Sequence, residues 1–334
     1  MNVSRLAAVS AMVVINMAVG GAFQTQTWPP GVQKVSSDSP VLSPEAELKT
    51  FVLPPGYRAE LVASEPMIDH PILIEWDADG RMWTIELVGY MENMAATTEW
   101  NPTSRVSVLE DTNRDGRMDK KTVFAEGLIL PRALKVLSDS VLVAEPAKVW
   151  RLRDTNGDLK ADVKELVCDN CYGGARAGVE HNQNGFLWAM DNWMHTSEGT
   201  TYFRLKNGKV ESRSTLSRGQ WGQTQDDFGR IYRNSNSSAL SIDFVPTPYF
   251  ARNSSLVRSR GSYEFAGDST ELNRTFPIRS NYGVNRGYQP GQLRADDGTL
   301  ATYTGVCAPT VFRGDRLPAD LNGNVFLAEP TGNL

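Results

Sequence analysis

One unit recurs along this chain: a short apolar strand, a polar turn and a second short strand. It reads at PILIEWDADGRMWTIEL (71–87), RALKVLSDSVLVAEP (132–146), NGFLWAMDNWMHTSE (184–198), TQDDFGRIYRNS (224–235) and RGDRLPADLNGNVFLAEP (313–330). After two of the units a second hairpin follows, RVSVLEDTNRDGRMDKKTVF (105–124) and VWRLRDTNGDLKADVKELV (149–167). Four short strands in every ~40–50 residues, repeated, are the pattern of β-propeller blades. No sustained apolar period of a helix appears, and no glycine-rich loop leads from a strand into a helix, so a doubly wound nucleotide fold is not expected. The repeats predict an all-β protein, a β-propeller with about five blades present. Because the sequence stops at Leu334 straight after a return strand, a C-terminally truncated ring is expected.

Composition narrows the class further. A chain of 334 residues with 40% hydrophobic residues, 28 Gly and 18 Pro suits a turn-rich globular protein. A net charge of −5 provides no basic footprint, so nucleic acid is not an expected partner. Residues 1–23 read as a signal peptide: Arg5, then the apolar LAAVSAMVVINMAVGGAF with Gly20, Gly21 and Ala22 at its end. An uncleaved anchor is the alternative, since the apolar run approaches the ~20 residues that span a bilayer. The protein is thus expected to be exported, periplasmic or membrane-associated through its N-terminus. Residues 24–45, polar and rich in Pro and Ser, read as a linker, and 46–334 as the propeller domain.

The repeat also supplies a register. At one offset before the turns at Gly80, Asn192 and Gly229 stand Asp69, His181 and Arg218, and at one offset after four turns stand Glu86, Glu145, Glu198 and Glu329. In a propeller the innermost strand lines the channel, and its start shares a face with the end of the antiparallel second strand. Asp69, His70, His181, Arg218 and the four glutamates are therefore expected around one channel mouth. Glu180 beside His181 is a candidate carboxylate–imidazole pair for acid–base work, and Asp69-His70 is a second. The bland alternative for each glutamate is a scaffold role, accepting backbone N–H groups or arginines.

Two Asp-rich turns resemble calcium loops, since calcium takes six to eight oxygen ligands from alternating Asp and Asn positions. The first offers Asp111, Asn113, Asp115 and Asp119; the second offers Asp154, Asn156, Asp158, Asp162 and Glu165. Joining third and fourth strands, they belong on the face opposite the mouth, where calcium would be structural. Cys168 and Cys171 form C-x-x-C followed by Tyr172, which is not the haem-attachment pattern. A local disulfide is the simplest reading, two free thiols the next, and Cys307 is left over. His195 reads as packing, and Trp188, Trp193 and Trp221 as packing between blades, although Trp221 lies close to Arg218.

FVLPPGYRAELVASEP, the DTN-x-DGRMDK turn, VEHNQNGFLWAMDNW and VFRGDRLPADLNGNVFLAEPTGNL resemble the PVC-type membrane-bound dehydrogenases, relatives of the quinoprotein glucose/sorbosone dehydrogenases. The resemblance implies a six-bladed, exported propeller that oxidises a sugar or alcohol with pyrroloquinoline quinone and passes electrons to a c-type cytochrome. It assigns the proton-accepting role to His181, with Glu180 in place of the usual Asp, and quinone contact to Arg218, with Trp221 and Gln223 in the same segment. The basic residues that bind quinone after the fifth hairpin have no match in AEPTGNL. Two other readings stay open: a non-catalytic propeller binding carbohydrate or protein, and a metal-dependent lactonase-like hydrolase.

Overall fold

Two of the inner hairpins turn where an aspartate can hold them. Asp77 Oδ1 accepts the backbone N–H groups of Asp79 and Arg81 at 3.0 and 2.9 Å. Its Oδ2 accepts Arg81 Nε at 2.6 Å and Trp83 Nε1 at 2.8 Å. Asp226 repeats the arrangement with the N–H groups of Phe228 and Arg230, with Arg230 Nε and with the Tyr232 hydroxyl. The shared spelling D-x-x-G-R-x-aromatic is thus a turn instruction. Its glycine is required, because Gly80 and Gly229 sit at φ of 80° and 77°, a region glycine enters without steric cost.

The computed structural model describes residues 28–34, 40–173, 179–256, 264–281, 284, 289–332 and 334. Blade 1 comprises β1 (Pro71–Trp76), β2 (Met82–Glu86), β3 (Ser104–Glu110) and β4 (Lys120–Leu128). Blade 2 comprises β5 (Ala133–Val136), β6 (Val141–Glu145), β7 (Ala147–Arg153) and β8 (Val163–Tyr172). Blade 3 holds β9 (Asn184–Trp188), β10 (Met194–Ser197), β11 (Thr201–Lys206) and β12 (Lys209–Ser214). Blade 4 holds β13 (Gln223–Gln225), β14 (Ile231–Ser235), β15 (Ser238–Asp243) and β16 (Glu264–Phe265). A last hairpin pairs β17 (Cys307–Val311) with β18 (Val325–Ala328). Each four-stranded sheet is an antiparallel meander in chain order. First strands pack in succession, β1 on β5, β5 on β9, β9 on β13 and β13 on β17, which places them around one axis. The fold is a β-propeller.

The core lies between blades, and strand alternation divides it. In β6, Val141 and Val143 join Trp83, Ile85 and Phe124 of blade 1. The intervening Leu142 and Ala144 join Phe186, Met194 and Phe203 of blade 3. Successive side chains leave a strand on opposite faces, so a middle strand buried on both sides must be apolar throughout, as VLVA is. Polar stitches reinforce the seams: Glu75 of β1 accepts Lys135 Nζ at 2.6 Å and the Val136 N–H at 2.9 Å, both on β5.

Some expectations are corrected. The fifth hairpin does not begin at 313: its first strand is Cys307–Val311, and 313–324 form the connection with a 3₁₀ turn at Ala319–Leu321 that Pro318 starts. Trp193 packs on the guanidinium groups of Arg204 and Arg213 within its own blade, at 4.5 and 4.0 Å, not between blades. In the linker stretch, Gln33 bridges to Arg279. Cys168 and Cys171 are disulfide-bonded within β8, and Cys307 is free and half-buried. The expected signal peptide, 1–23, lies outside the described residues. Among those described, no helix is long and apolar enough to cross a membrane.

Candidate functional site

The four repeat-related glutamates share a position but not a role. Glu86 is fully buried and accepts the Asp69 N–H at 3.1 Å, Ser107 Oγ at 3.1 Å, Lys121 Nζ at 2.6 Å and Arg105 Nε. Burial opposes its ionisation, yet the bonds from Lys121 and Arg105 outweigh that and hold the carboxyl below its ordinary range. Glu145 accepts the Ile129 N–H and Trp150 Nε1. Glu329 accepts three backbone N–H groups, from Thr304, Gly305 and Thr331, at 3.0–3.1 Å. In all three, the carboxylate at the end of the second strand receives backbone N–H from the segment entering the first strand of the same blade. That is the scaffold role.

Glu198 departs from it. In blade 3 the entering segment supplies its own acceptor: buried Asn182 Oδ1 takes the Gln183 N–H at 2.8 Å. The Glu198 backbone sits at φ 55°, and its N–H reaches across to the Arg218 carbonyl of blade 4 at 3.0 Å. No hydrogen bond from the described residues reaches its carboxylate. Burial raises its pKa above the ordinary 4.5, only partly offset by nearby His181 and Arg132. A non-glycine residue held in this region of φ and ψ recurs at functional sites.

His181 stands at the same mouth, its side chain 45% exposed and its Nε2 3.8 Å from Glu180 Oε2. Its Nδ1 meets Gln220 Nε2 from the segment entering blade 4. The Gln220 amide is oriented by the Asn236 N–H, which donates to its Oε1 at 2.9 Å. Gln220 therefore donates to Nδ1, and the neutral ring carries its proton on Nε2. Asn184 ties the two entering segments together, bonding the Gln220 carbonyl and accepting the Gly222 N–H. Gly222 is required there: at φ 78°, a Cβ would come 3.0 Å from Ala308 Cα.

Arg132, Tyr90 and Glu99 complete the cluster without any motif of their own in the sequence. Arg132 immediately precedes β5 and is 6% exposed. The loop between β2 and β3 carries Tyr90, whose pKa is raised by burial and then by Glu180 and Glu99. The one sequence signal for Arg132 is a charge inside the apolar run LILPRALKVL.

The other expected residues lie elsewhere or are engaged. Asp69 and His70 pair with each other at 2.6 Å in blade 1, with Arg105 at 3.6 Å from Asp69. The Arg218 side chain turns into blade 4, its Nε 3.7 Å from buried Asp243, which also faces Arg233 Nε at 3.4 Å. Gln223 donates to the His195 carbonyl and accepts Arg233 Nη1 at 2.7 Å. The Trp221 carbonyl accepts the Ala308 N–H from the last hairpin. His195 is buried against Tyr202 and bonds the turn residue Asp191 through Nε2 at 3.1 Å, so it packs as expected.

The Asp-rich turns do lie opposite the mouth, but they close on themselves. Asp111, Asn113 and Asp115 accept N–H groups from their own loop, and Asp119 accepts from Thr112. Asp154, Asn156, Asp158 and Asp162 do likewise, while Glu165 lies out on β8. Among the described residues no three His, Cys, Asp or Glu side chains gather as a metal site. A cleft of about 240 Å³ on that face lies between the turns of blades 1 and 2. Its carboxylates Asp77 and Asp139 are paired with Arg81 and Arg151.

Solved structures with similar folds include an oxidoreductase described as a glucose dehydrogenase from Thermus thermophilus, at TM-score 0.42 and 15% identity, over 78% of this chain and 76% of that one. Another is the PQQ domain of pyranose dehydrogenase from Coprinopsis cinerea, at TM-score 0.33 and 10% identity, covering 51% and 46%. A third is a gluconolactonase from Xanthomonas campestris, at TM-score 0.36 and 15% identity, covering 53% and 58%. The chain thus spans about half the length of the latter two. No curated protein matches the sequence. A family profile described as a domain of unknown function, DUF7133, matches residues 43–334, and the chain belongs to that family.

Proposed function

We propose that the mouth between blades 3 and 4 performs acid–base chemistry on a hydroxyl of a small sugar or alcohol, the proton half of a dehydrogenase reaction. The observation that carries this is Glu198: alone among four equivalent glutamates, it has a carboxylate without a hydrogen bond from the described residues, beside an exposed imidazole. Glu198 is the base, because a partly buried carboxylate of raised pKa accepts a proton more readily than an ordinary one. His181 is the donor, because Gln220 occupies its Nδ1 and leaves Nε2–H to bond the substrate oxygen and hold its proton towards Glu198. Glu180, 3.8 Å from Nε2, orients the ring. This reassigns the base expected at His181, for which the resemblance to the membrane-bound dehydrogenases is the remaining support.

Pyrroloquinoline quinone, when bound, would supply the two-electron sink for the hydride. The residues expected to hold it do not fit: Gln223 is bonded to Arg233 and His195, and the Arg218 guanidinium lies against Asp243. No step is therefore derived through it. The lactonase-like reading would have to rest on Glu198, since Glu86, Glu145 and Glu329 accept scaffold hydrogen bonds. Dye reduction by the full chain with added quinone, across a panel of sugars and alcohols, tests the proposal. Glu198→Gln and His181→Gln should each lower turnover by about 10²–10⁴-fold. Full turnover in Glu198→Gln would sink it, and sugar binding with no turnover in the wild type would favour a binding propeller.

A further inference from the structure

Arg132 is a deeply buried guanidinium, 6% exposed. Its Nε and Nη1 are buried without hydrogen-bond partners, and no carboxylate of the described residues lies within ion-pair distance. Arg233, equally deep, donates to Thr196, Gln223 and Tyr202 and faces Asp243. Leaving a buried charge unpaired is costly, and burial lowers the Arg132 pKa, with Tyr172, Tyr90, Glu198 and Glu99 opposing. The Arg132 backbone N–H donates to the Ala144 carbonyl at 2.9 Å and its carbonyl accepts the Gly185 N–H of blade 3 at 3.0 Å, which places it at the mouth end of β5, beside the segment that carries His181. We infer that Arg132 is the specificity residue of the site and receives the single carboxylate of a sugar acid or hydroxy acid.

Three features choose that ligand. A guanidinium N–H gives a charge-assisted bond to a carboxylate oxygen, and Arg132 holds two such donors, Nε and Nη1, without partners. Glu198 and Glu99 are near enough to act on the Arg132 charge, so a phosphate dianion would meet more repulsion than a monoanion. The hydroxyl of the ligand is required by the acid–base reading above, on which that part of the inference rests; the carboxylate contact does not depend on it.

Calorimetric titration of the full chain without quinone separates the possibilities, because it needs no turnover and survives failure of the redox reading. The probes are sodium D-glucuronate, D-glucose and sodium acetate, applied to the wild type, Arg132→Lys and Arg132→Met. Glucuronate should bind at least about tenfold more tightly than glucose or acetate, the scale of a charge-assisted bidentate pair. Arg132→Lys should weaken that preference and Arg132→Met erase it, with the melting temperature equal or higher. Glucose or acetate binding as tightly as glucuronate overturns the inference. So does retained preference in Arg132→Met, or a collapse of stability in that variant, which would mark a structural role.

Discussion

Replacing Glu86 and Glu198 each by Gln should separate scaffold from function at one repeat position. Glu86 is fully buried with two cations and two neutral donors on its carboxylate. Removing one partner of a buried ion cluster costs about 3–5 kcal/mol. Lys121 and Arg105 keep 18% and 29% exposure, so water can partly take over their charges, and the lower end, about 3 kcal/mol, is expected. At roughly 2–4 °C per kcal/mol for chains of a few hundred residues, Glu86→Gln should melt about 6–12 °C lower. Glu198→Gln loses no hydrogen bond and sheds a carboxylate that burial already disfavours, so it should stay within about 0.5 kcal/mol of the wild type. Urea unfolding followed by tryptophan fluorescence reads both, and the assays above read activity and ligand binding. Equal destabilisation of the two variants, or a neutral Glu86→Gln, would refute the division of roles.

The same carboxyl groups set opposite pH dependences. Glu86, held below its ordinary pKa, stabilises the fold above the unfolded value of 4.5, a contribution lost as pH falls through its lower folded value. Glu198, raised above 4.5, stabilises the fold below that value, and the contribution fades as pH rises through its folded pKa. Because catalysis needs Glu198 ionised, turnover should rise with pH across the window in which its stabilisation fades, with an acid limb above the ordinary glutamate range; a limb at or below 4.5 contradicts its role as base. In blade 4, Arg233→Lys should cost about 3–5 kcal/mol, since a single ammonium cannot serve Thr196, Gln223, Tyr202 and Asp243 together. An unchanged urea midpoint would show that the buried network is not holding blades 3 and 4 together.

Sequence carried the blades well because a blade is local. The turn aspartates bond residues two to six positions on, and the period-two alternation of VLVA is decided by neighbours above and below the strand. It failed at the fifth hairpin for the complementary reason: RGDRL has no partner strand within reach, while CAPTV pairs with Val325–Ala328 across a long connection. In the Asp-rich turns, alternating Asp and Asn also serves to accept the loop's own N–H groups, and spacing alone does not separate that use from holding calcium.

The site is a harder case, since its members are defined by who does not bond them. The repeated glutamate was legible, but whether it is scaffold or free depends on which N–H groups the entering segment turns towards it. In blade 1 the Asp69 N–H goes to Glu86, whereas in blade 3 the entering segment bonds within itself, Gln183 N–H to Asn182, and no N–H of the described residues reaches the Glu198 carboxylate. Asn182, one residue beyond His181, thus helps to hold the segment that carries the imidazole. Asn182→Ala removes the acceptor of the Gln183 N–H and should loosen His181 against Glu198, lowering turnover without touching either acid–base group. Losing that one buried hydrogen bond should cost about 1–2 kcal/mol. A variant that loses this stability but keeps full activity would mean that Asn182 only caps the strand and does not position the imidazole.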